Sequence, residues 1–259
     1  MEYGICMLAA VSVREMPSGK SQMVNQLLFG ELFLVKAKKE KWFLIETVDD
    51  HYEGWVYQIQ VKIITEDFFQ KANKSASHYL HMLCGQVRLD KNIIPVSRGA
   101  QFHLWNDGFF TIEDQQYYYK KAIRPAPDKP TNKDIIEVAK DYLEVPYLWG
   151  GRSPFGIDGS GLVQVVFKMN GILLPRDAAQ QVNNGEQILF VEAAEPGDLA
   201  FFENKEGDIN HVGIILGNGK ILHAWGKVRI DSIDHQGIFN NEAGRYTHHL
   251  RVVKRIVNG

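Results

Sequence analysis

Apolar and polar positions alternate at both ends of the chain, and a stretch with helical spacing lies between them. Near the start, residues 7–13, 32–37, 42–47 and 54–61 read as short strands, broken by Pro17-Ser18-Gly19, by 38–41 and by Asp49-Asp50. Residues 65–80 are polar and helix-tolerant, with Phe68, Phe69 and Tyr79 as apolar anchors, and strands are expected again at 85–89, 101–105, 109–113 and 116–122. Three prolines at 125, 127 and 130 oppose both helix and central strand, so a domain boundary is expected there. Thr131 or Asn132 then caps a helix whose apolar side carries Ile135, Ile136, Val138, Ala139, Tyr142 and Leu143, and which ends before Pro146. A second helix runs to Met169, turns at Asn170-Gly171, and precedes a short helix at 178–182 that stops at Asn183-Asn184-Gly185. From residue 199 the period changes to two, with strands at 199–202, 211–216, 220–224, 228–232 and 250–255 and a hairpin turn at Gly217-Asn218-Gly219. Helices first and antiparallel strands afterwards define an α+β domain.

The length of 259 residues suits two or three domains with ample apolar content for real cores. A net charge of −2 gives no reason to expect a nucleic-acid partner, and no run of 18 apolar residues spans a membrane. The first six residues are too short and too mixed for a signal peptide; a secreted protein lacking its leader and a cytoplasmic one both fit. Cys6 and Cys84 sit in apolar strand-like surroundings of different expected domains, which predicts two buried free thiols rather than a bridge or metal site.

Residues 147–161, Tyr-Leu-Trp-Gly-Gly-Arg-Ser-Pro-Phe-Gly-Ile-Asp-Gly-Ser-Gly, pack five glycines, a tryptophan and an acid into a loop that feeds an apolar helix. Unpaired backbone N–H groups and the helix dipole make such a junction favourable to an anion; a purely structural turn using left-handed glycines explains the same residues. His211 opens a strand, and an imidazole, with its near-neutral pKa, is the usual general base, although a polar strand end is the plainer reading. His223 lies across the hairpin turn on the next strand, where its ring can meet that of His211 and fix its tautomer. A zinc site built on these two is not expected, since no cysteine or third histidine has suitable spacing.

Five motifs, Tyr147-Leu148-Trp149-Gly150-Gly151, Asp158 to Gly161, Leu174-Pro175-Arg176-Asp177, Pro196-Gly197-Asp198-Leu199 and Asn210-His211-Val212-Gly213-Ile214, resemble in order and spacing the NlpC-type cysteine peptidases, bacterial enzymes of papain-like fold that cut cell-wall peptides. The resemblance covers residues 130–259 and departs at one position: where the family has Asp-Cys-Ser-Gly, this chain has Asp158-Gly159-Ser160-Gly161. Trp42 and Gly54-Trp55-Val56 resemble bacterial SH3-like domains. The resemblance therefore implies two small all-β SH3-like barrels followed by an α+β papain-like peptidase domain: a first SH3-like domain at 1–64, a connector and divergent second one at 65–124, a linker at 125–131 and the peptidase domain at 132–259. It implies Cys-His-His chemistry with Gly159 at the nucleophile position, His211 as base and His223 as its orienter, and no metal or cofactor. Glycine cannot attack a carbonyl. An inactivated form of a working enzyme, a natural pseudoenzyme that only binds muropeptides, and Ser160 acting in its place are the alternatives, the last opposed by the roughly 100° swing between successive helical residues.

Chains built with such domains before the peptidase resemble γ-D-glutamyl-L-diamino-acid endopeptidases acting on free L-Ala-γ-D-Glu-diaminopimelate peptides. That implies a substrate groove bordered by Trp149 and Ser160, Asp158 lining its oxyanion side or holding the loop, an amine contact from Tyr57, Gln22 where an acid is expected, and Asp177 supplying the remaining negative charge. Arg176 and Asp177 read equally well as a surface ion pair. A cell-envelope or periplasmic location is implied, with a cytoplasmic one open.

Overall fold

A computed structural model describes residues 2–76, 78–119 and 123–257, which divide into two units. The first comprises residues 1–126 together with Trp149–Pro154. Its main sheet is antiparallel and seven-stranded, in the order Met23–Leu28, Ala10–Arg14, Glu53–Tyr57, Trp42–Thr47, Leu32–Lys39, Glu2–Cys6, Val61–Ile64. Inward positions of these strands, among them Val11, Val13, Phe33, Phe43, Ile45 and Val56, form one apolar cluster. The strand Met23–Leu28 escapes the sequence pattern because Asn25 and Gln26 interrupt it, yet both are buried. Gln26 is satisfied from the glycine-rich segment: its Oε1 accepts from Arg152 N at 2.8 Å and its carbonyl from Arg152 Nη1 at 2.8 Å. Arg152 also makes a buried two-pronged pair with Glu31, at 3.0 and 2.8 Å. Gly150 has φ +76°, and a Cβ there would lie 2.6 Å from Met23 O, so only glycine allows this approach.

Residues 65–125 add a helix, Glu66–Lys74, N-capped by the Thr65 side chain, and two smaller sheets of four and three strands. The expected separation at 64/65 is not a break in the core: Ile5, Phe29 and Leu32 share one cluster with Phe68, Phe69, Val96, Phe102 and Phe110. Cys6 is buried, but Cys84 is exposed, which corrects the expectation of two buried thiols. It begins a strand, Cys84–Leu89, whose inward position is Val87. The strand Asn92–Ser97 was hidden by Pro95, which is tolerated because this is the edge of its sheet. The expected strand at 116–122 is Gln115–Tyr118, and residues 120–122 of it lie outside the described residues.

The second unit comprises residues 127–148 and 155–259. Its first helix, Asn132–Lys140, starts with a capping box between Thr131 and Asp134. Gly159–Met169, the central helix, is buried at ten of its eleven positions, Ser160 excepted, and its buried residues include the polar Gln164 and Lys168. The sheet order is Glu186–Ile188, Arg245–Arg255, Leu199–Glu203, Ile209–Gly217, Lys220–Trp225, Lys227–Asp234, Gly237–Asn240, and the last strand pairs back onto Arg245–Arg255. Six antiparallel strands therefore close into a ring. Four register irregularities interrupt its ladders, and two of them flank Phe202: Asn210 is extra between the pairs Phe202↔His211 and Glu203↔Ile209, and Arg251 between Phe201↔Val252 and Phe202↔Leu250. These two turn Asn210 and Arg251 to solvent while His211 is buried.

Candidate active site

The Asp158 side chain fixes the start of the central helix, accepting from Gly161 N at 2.7 Å as N-cap. The same carboxylate meets Arg176 Nη2 at 2.6 Å, and Arg176 Nη1 donates to Ser160 Oγ at 2.8 Å. Arg176 is 1% exposed. Arg176 is therefore not a surface residue but half of a buried ion pair with Asp158, whose carboxylate holds the loop. Ser160 Oγ in turn donates to Asp158 Oδ1 at 3.4 Å and is committed to this cluster.

Residue 159 opens the helix against the His211 strand. A Cβ built on Gly159 lies 3.2 Å from His211 Nδ1 and 3.0 Å from Val212 O, so a side chain at 159 would reach the imidazole directly. On the far side of the ring, His211 Nε2 is 2.9 Å from His223 Nδ1, and His223 Nε2 donates to Asp231 Oδ2 at 3.1 Å. The register explains the meeting. His223 pairs with Gly213, two residues beyond His211 on the same face, and a Cβ at 213 would come within 2.9 Å of His223 Cβ. Glycine there leaves room for the two rings to converge.

Asp231 is the member that sequence reasoning missed. It is 1% exposed and accepts from Arg229 Nε at 2.7 Å and Nη2 at 3.1 Å, and from Asn240 Nδ2 at 3.3 Å. Burial alone would raise its pKa, but the hydrogen bonds from His223 and Arg229 prevail and hold it at about 2. Its ionised carboxylate orders every proton behind it. His223 must carry hydrogen on Nε2 and accept at Nδ1; His211 must then donate from Nε2, which leaves Nδ1 unprotonated and turned toward residue 159. Burial lowers the pKa of both imidazoles, His211 well below the free value with the help of His248 and His223, so both are neutral at pH 7. The signal for Asp231 was its strand: Arg229 and Asp231 occupy alternate positions facing the His223 side.

A third imidazole, also missed, is His248. Its ring stacks on that of His211 at 4.2 Å and lies edge-on to His223 at 5.6 Å. The absence of a third histidine near His211 and His223, expected from spacing, is corrected by ring closure, which returns the last strand to the site.

Asp177 is exposed and precedes the helix Ala178–Gln181, its carbonyl accepting from Gln180 and Gln181. Gln22, Tyr57 and Trp149 belong to the first unit. Gln22 is exposed, Tyr57 pairs with Trp42 at a ring separation of 5.3 Å, and Trp149 is 56% exposed.

Two hydrogen-bonded imidazoles backed by a carboxylate, facing the first turn of a buried helix within an α+β domain, form the arrangement that papain-like cysteine peptidases use around their thiol. The family profile described as NlpC/P60 family matches residues 144–245, and that described as bacterial dipeptidyl-peptidase SH3 domain matches 13–58. The chain is 32% identical over 216 residues to the gamma-D-glutamyl-L-lysine dipeptidyl-peptidase of Bacillus subtilis strain 168, covering 77% of this chain and 71% of that protein. It is 23% identical to dipeptidyl-peptidase 6 of Lysinibacillus sphaericus, across 85% of this chain and 88% of that one. A crystal structure of an NlpC/P60 family protein from Bacillus cereus ATCC 10987 superposes with a TM-score of 0.86 at 20% identity, covering 99% of this chain and all of the other. The chain belongs to the NlpC/P60 family, whose peptidases use a cysteine, and its fold is mostly β, with an SH3 domain before the papain-like one.

Proposed function

We propose that this chain is the scaffold of a murein-peptide hydrolase specific for the bond between γ-D-Glu and an L-diamino acid in free L-Ala-γ-D-Glu-diamino-acid peptides, and that with Gly159 it binds such peptides without cutting them. The reading rests on one observation: His211 lies between residue 159 at Nδ1 and the His223–Asp231 pair at Nε2, an arrangement from which an unprotonated Nδ1 facing residue 159 follows. A thiol at 159 would give its proton to that nitrogen and attack the peptide carbonyl, and the imidazolium would then protonate the leaving amine. The positive end of the helix dipole at this N-terminus suits the oxyanion that forms. Substrate class follows from the relatives, one of which is named for the γ-D-glutamyl-L-lysine bond. In this reading Trp149 and Ser160 border the groove, Tyr57 and Gln22 meet the free amine of the peptide, and Asp177 supplies the countercharge. Residues 65–124 form a second, divergent SH3-like unit, which the two small sheets support, and the protein works at the cell envelope.

Gly159→Cys is expected to confer hydrolysis of L-Ala-γ-D-Glu-L-Lys or its diaminopimelate counterpart, abolished by thiol alkylation, where the unaltered chain gives none. A Gly159→Cys protein that leaves both peptides intact under conditions in which a related peptidase cleaves them would overturn the assignment. The alternative, a natural muropeptide-binding pseudoenzyme, shares the binding prediction and differs in the chromosomal codon for residue 159: glycine there favours it, cysteine removes it.

A further inference from the structure

His211, His223 and His248 each offer one ring nitrogen, and these three nitrogens lie within 4.8 Å of one another. Two of the outer nitrogens, those of His223 and His248, are held in the manner of metal-ligating histidines. His223 Nε2 donates to the Asp231 carboxylate, leaving Nδ1 inward. His248 Nδ1 is 2.9 Å from Thr247 Oγ1, whose own hydrogen is directed to Ile238 O at 3.4 Å, so this imidazole donates from Nδ1 and keeps Nε2 for a ligand. Carboxylate or hydroxyl partners of this kind orient histidines around zinc. His211 can turn Nε2 inward as a ligand by carrying its proton on Nδ1, on the Gly159 side, and it remains neutral in doing so.

We propose that these three histidines bind a divalent transition-metal ion of the zinc class, with water as the fourth ligand. Zn–N bonds of about 2.0–2.1 Å in tetrahedral array place ligand nitrogens roughly 3.3–3.4 Å apart. The observed 2.9 Å between His211 Nε2 and His223 Nδ1 opens by a few tenths of an ångström, and the half-buried His248 ring rotates out of its stack on His211 so that its plane contains the ion. Imidazole donors with no acid among the three ligands favour zinc, copper or nickel over calcium or magnesium. Glycine at 159 matters here: with cysteine, His211 is committed to the thiol. The site depends on neither peptide binding nor peptidase activity, so it stands or falls separately from the function proposed above.

The test uses the full chain with Gly159, stripped with a chelator and dialysed against Zn2+ or Co2+. About one equivalent of zinc per chain and the intense visible absorption of tetrahedral Co2+ are expected. His248→Gln should weaken zinc binding by 100-fold or more and Asp231→Asn by about 10- to 100-fold. His249→Gln, an exposed neighbour on the same strand, should leave it unchanged. Far-UV circular dichroism of the metal-free variants checks folding. Should a variant fail to fold, the Co2+ spectrum of the unaltered chain decides. Retention of less than a fifth of an equivalent, a six-coordinate Co2+ spectrum, or equal affinity in the folded His248→Gln and His249→Gln proteins would overturn the site.

Discussion

At the scale of single residues, Asp231 is the group on which the protonation of the site depends. Its own charge is secured by Arg229 and Asn240, and through His223 it dictates which nitrogen of His211 is bare. In a Gly159→Cys background, Asp231→Asn is expected to lower kcat by about 10²- to 10⁴-fold with KM little changed, because an amide can present N–H and reverse the tautomer chain. Long-range ¹H–¹⁵N spectra should report the change directly as a shift of the His211 proton from Nε2 to Nδ1; unchanged spectra and kcat would contradict the assignment. His211 and His223 were legible in the sequence because a strand, a glycine turn and a second strand separate them by a countable register. Asp231 was not, since an acid in a strand ordinarily faces solvent, and its burial depends on Arg229 and Asn240 arriving from its own and the neighbouring strand.

Among the elements, the central helix carries the most consequential local design. Its sequence declares a buried helix, and Asp158 declares its cap. What the spacing does not disclose is that Arg176, eighteen residues on, folds back under the same carboxylate. With both side chains almost fully enclosed, removing one partner leaves an uncompensated buried charge. Arg176→Ala should therefore destabilise the chain by about 3–5 kcal/mol, measured by urea unfolding, whereas Asp158→Asn combined with Arg176→Met should recover much of that loss. A single Arg176→Ala protein as stable as the parent would mean that the pair contributes nothing to the loop. The two bulges flanking Phe202 show the same limit of pattern reading: strict alternation places strands correctly, but an extra residue in a ladder becomes visible only when the partner strand is known.

For the molecule as a whole, three neutral imidazoles enclosed in one unit tie stability to pH. Burial depresses the folded pKa values of His211, His223 and His248, the last to about 4. The groups facing them are the Asp231 carboxylate, which opposes the shift, and Arg229, which adds to it at His223. Because the folded values are lowered, the unfolded chain takes up these protons first. Stability is full above about pH 6.5 and declines as pH falls, by about 1.4 kcal/mol per pH unit for each histidine engaged, until the folded forms protonate in turn. Urea midpoints of the metal-free protein should fall steeply between about pH 6.5 and 4.5, and His248→Gln should make the slope shallower. A flat profile would show that these rings are not held neutral.

The sequence by itself determined an SH3 domain ahead of the papain-like one, the helix-then-sheet plan of the second unit, the family and the meeting of His211 with His223, because periodicity, caps and turns act over a few residues and the family motifs are local strings. Tertiary structure alone decided what lies beyond that pair. Ring closure carried His248 back from the end of the chain, burial turned Arg176 and Asp231 inward, and one apolar core ran across the boundary expected at 64/65. Each of these depends on which distant surfaces exclude water together, a property of the folded chain that no short window of residues contains.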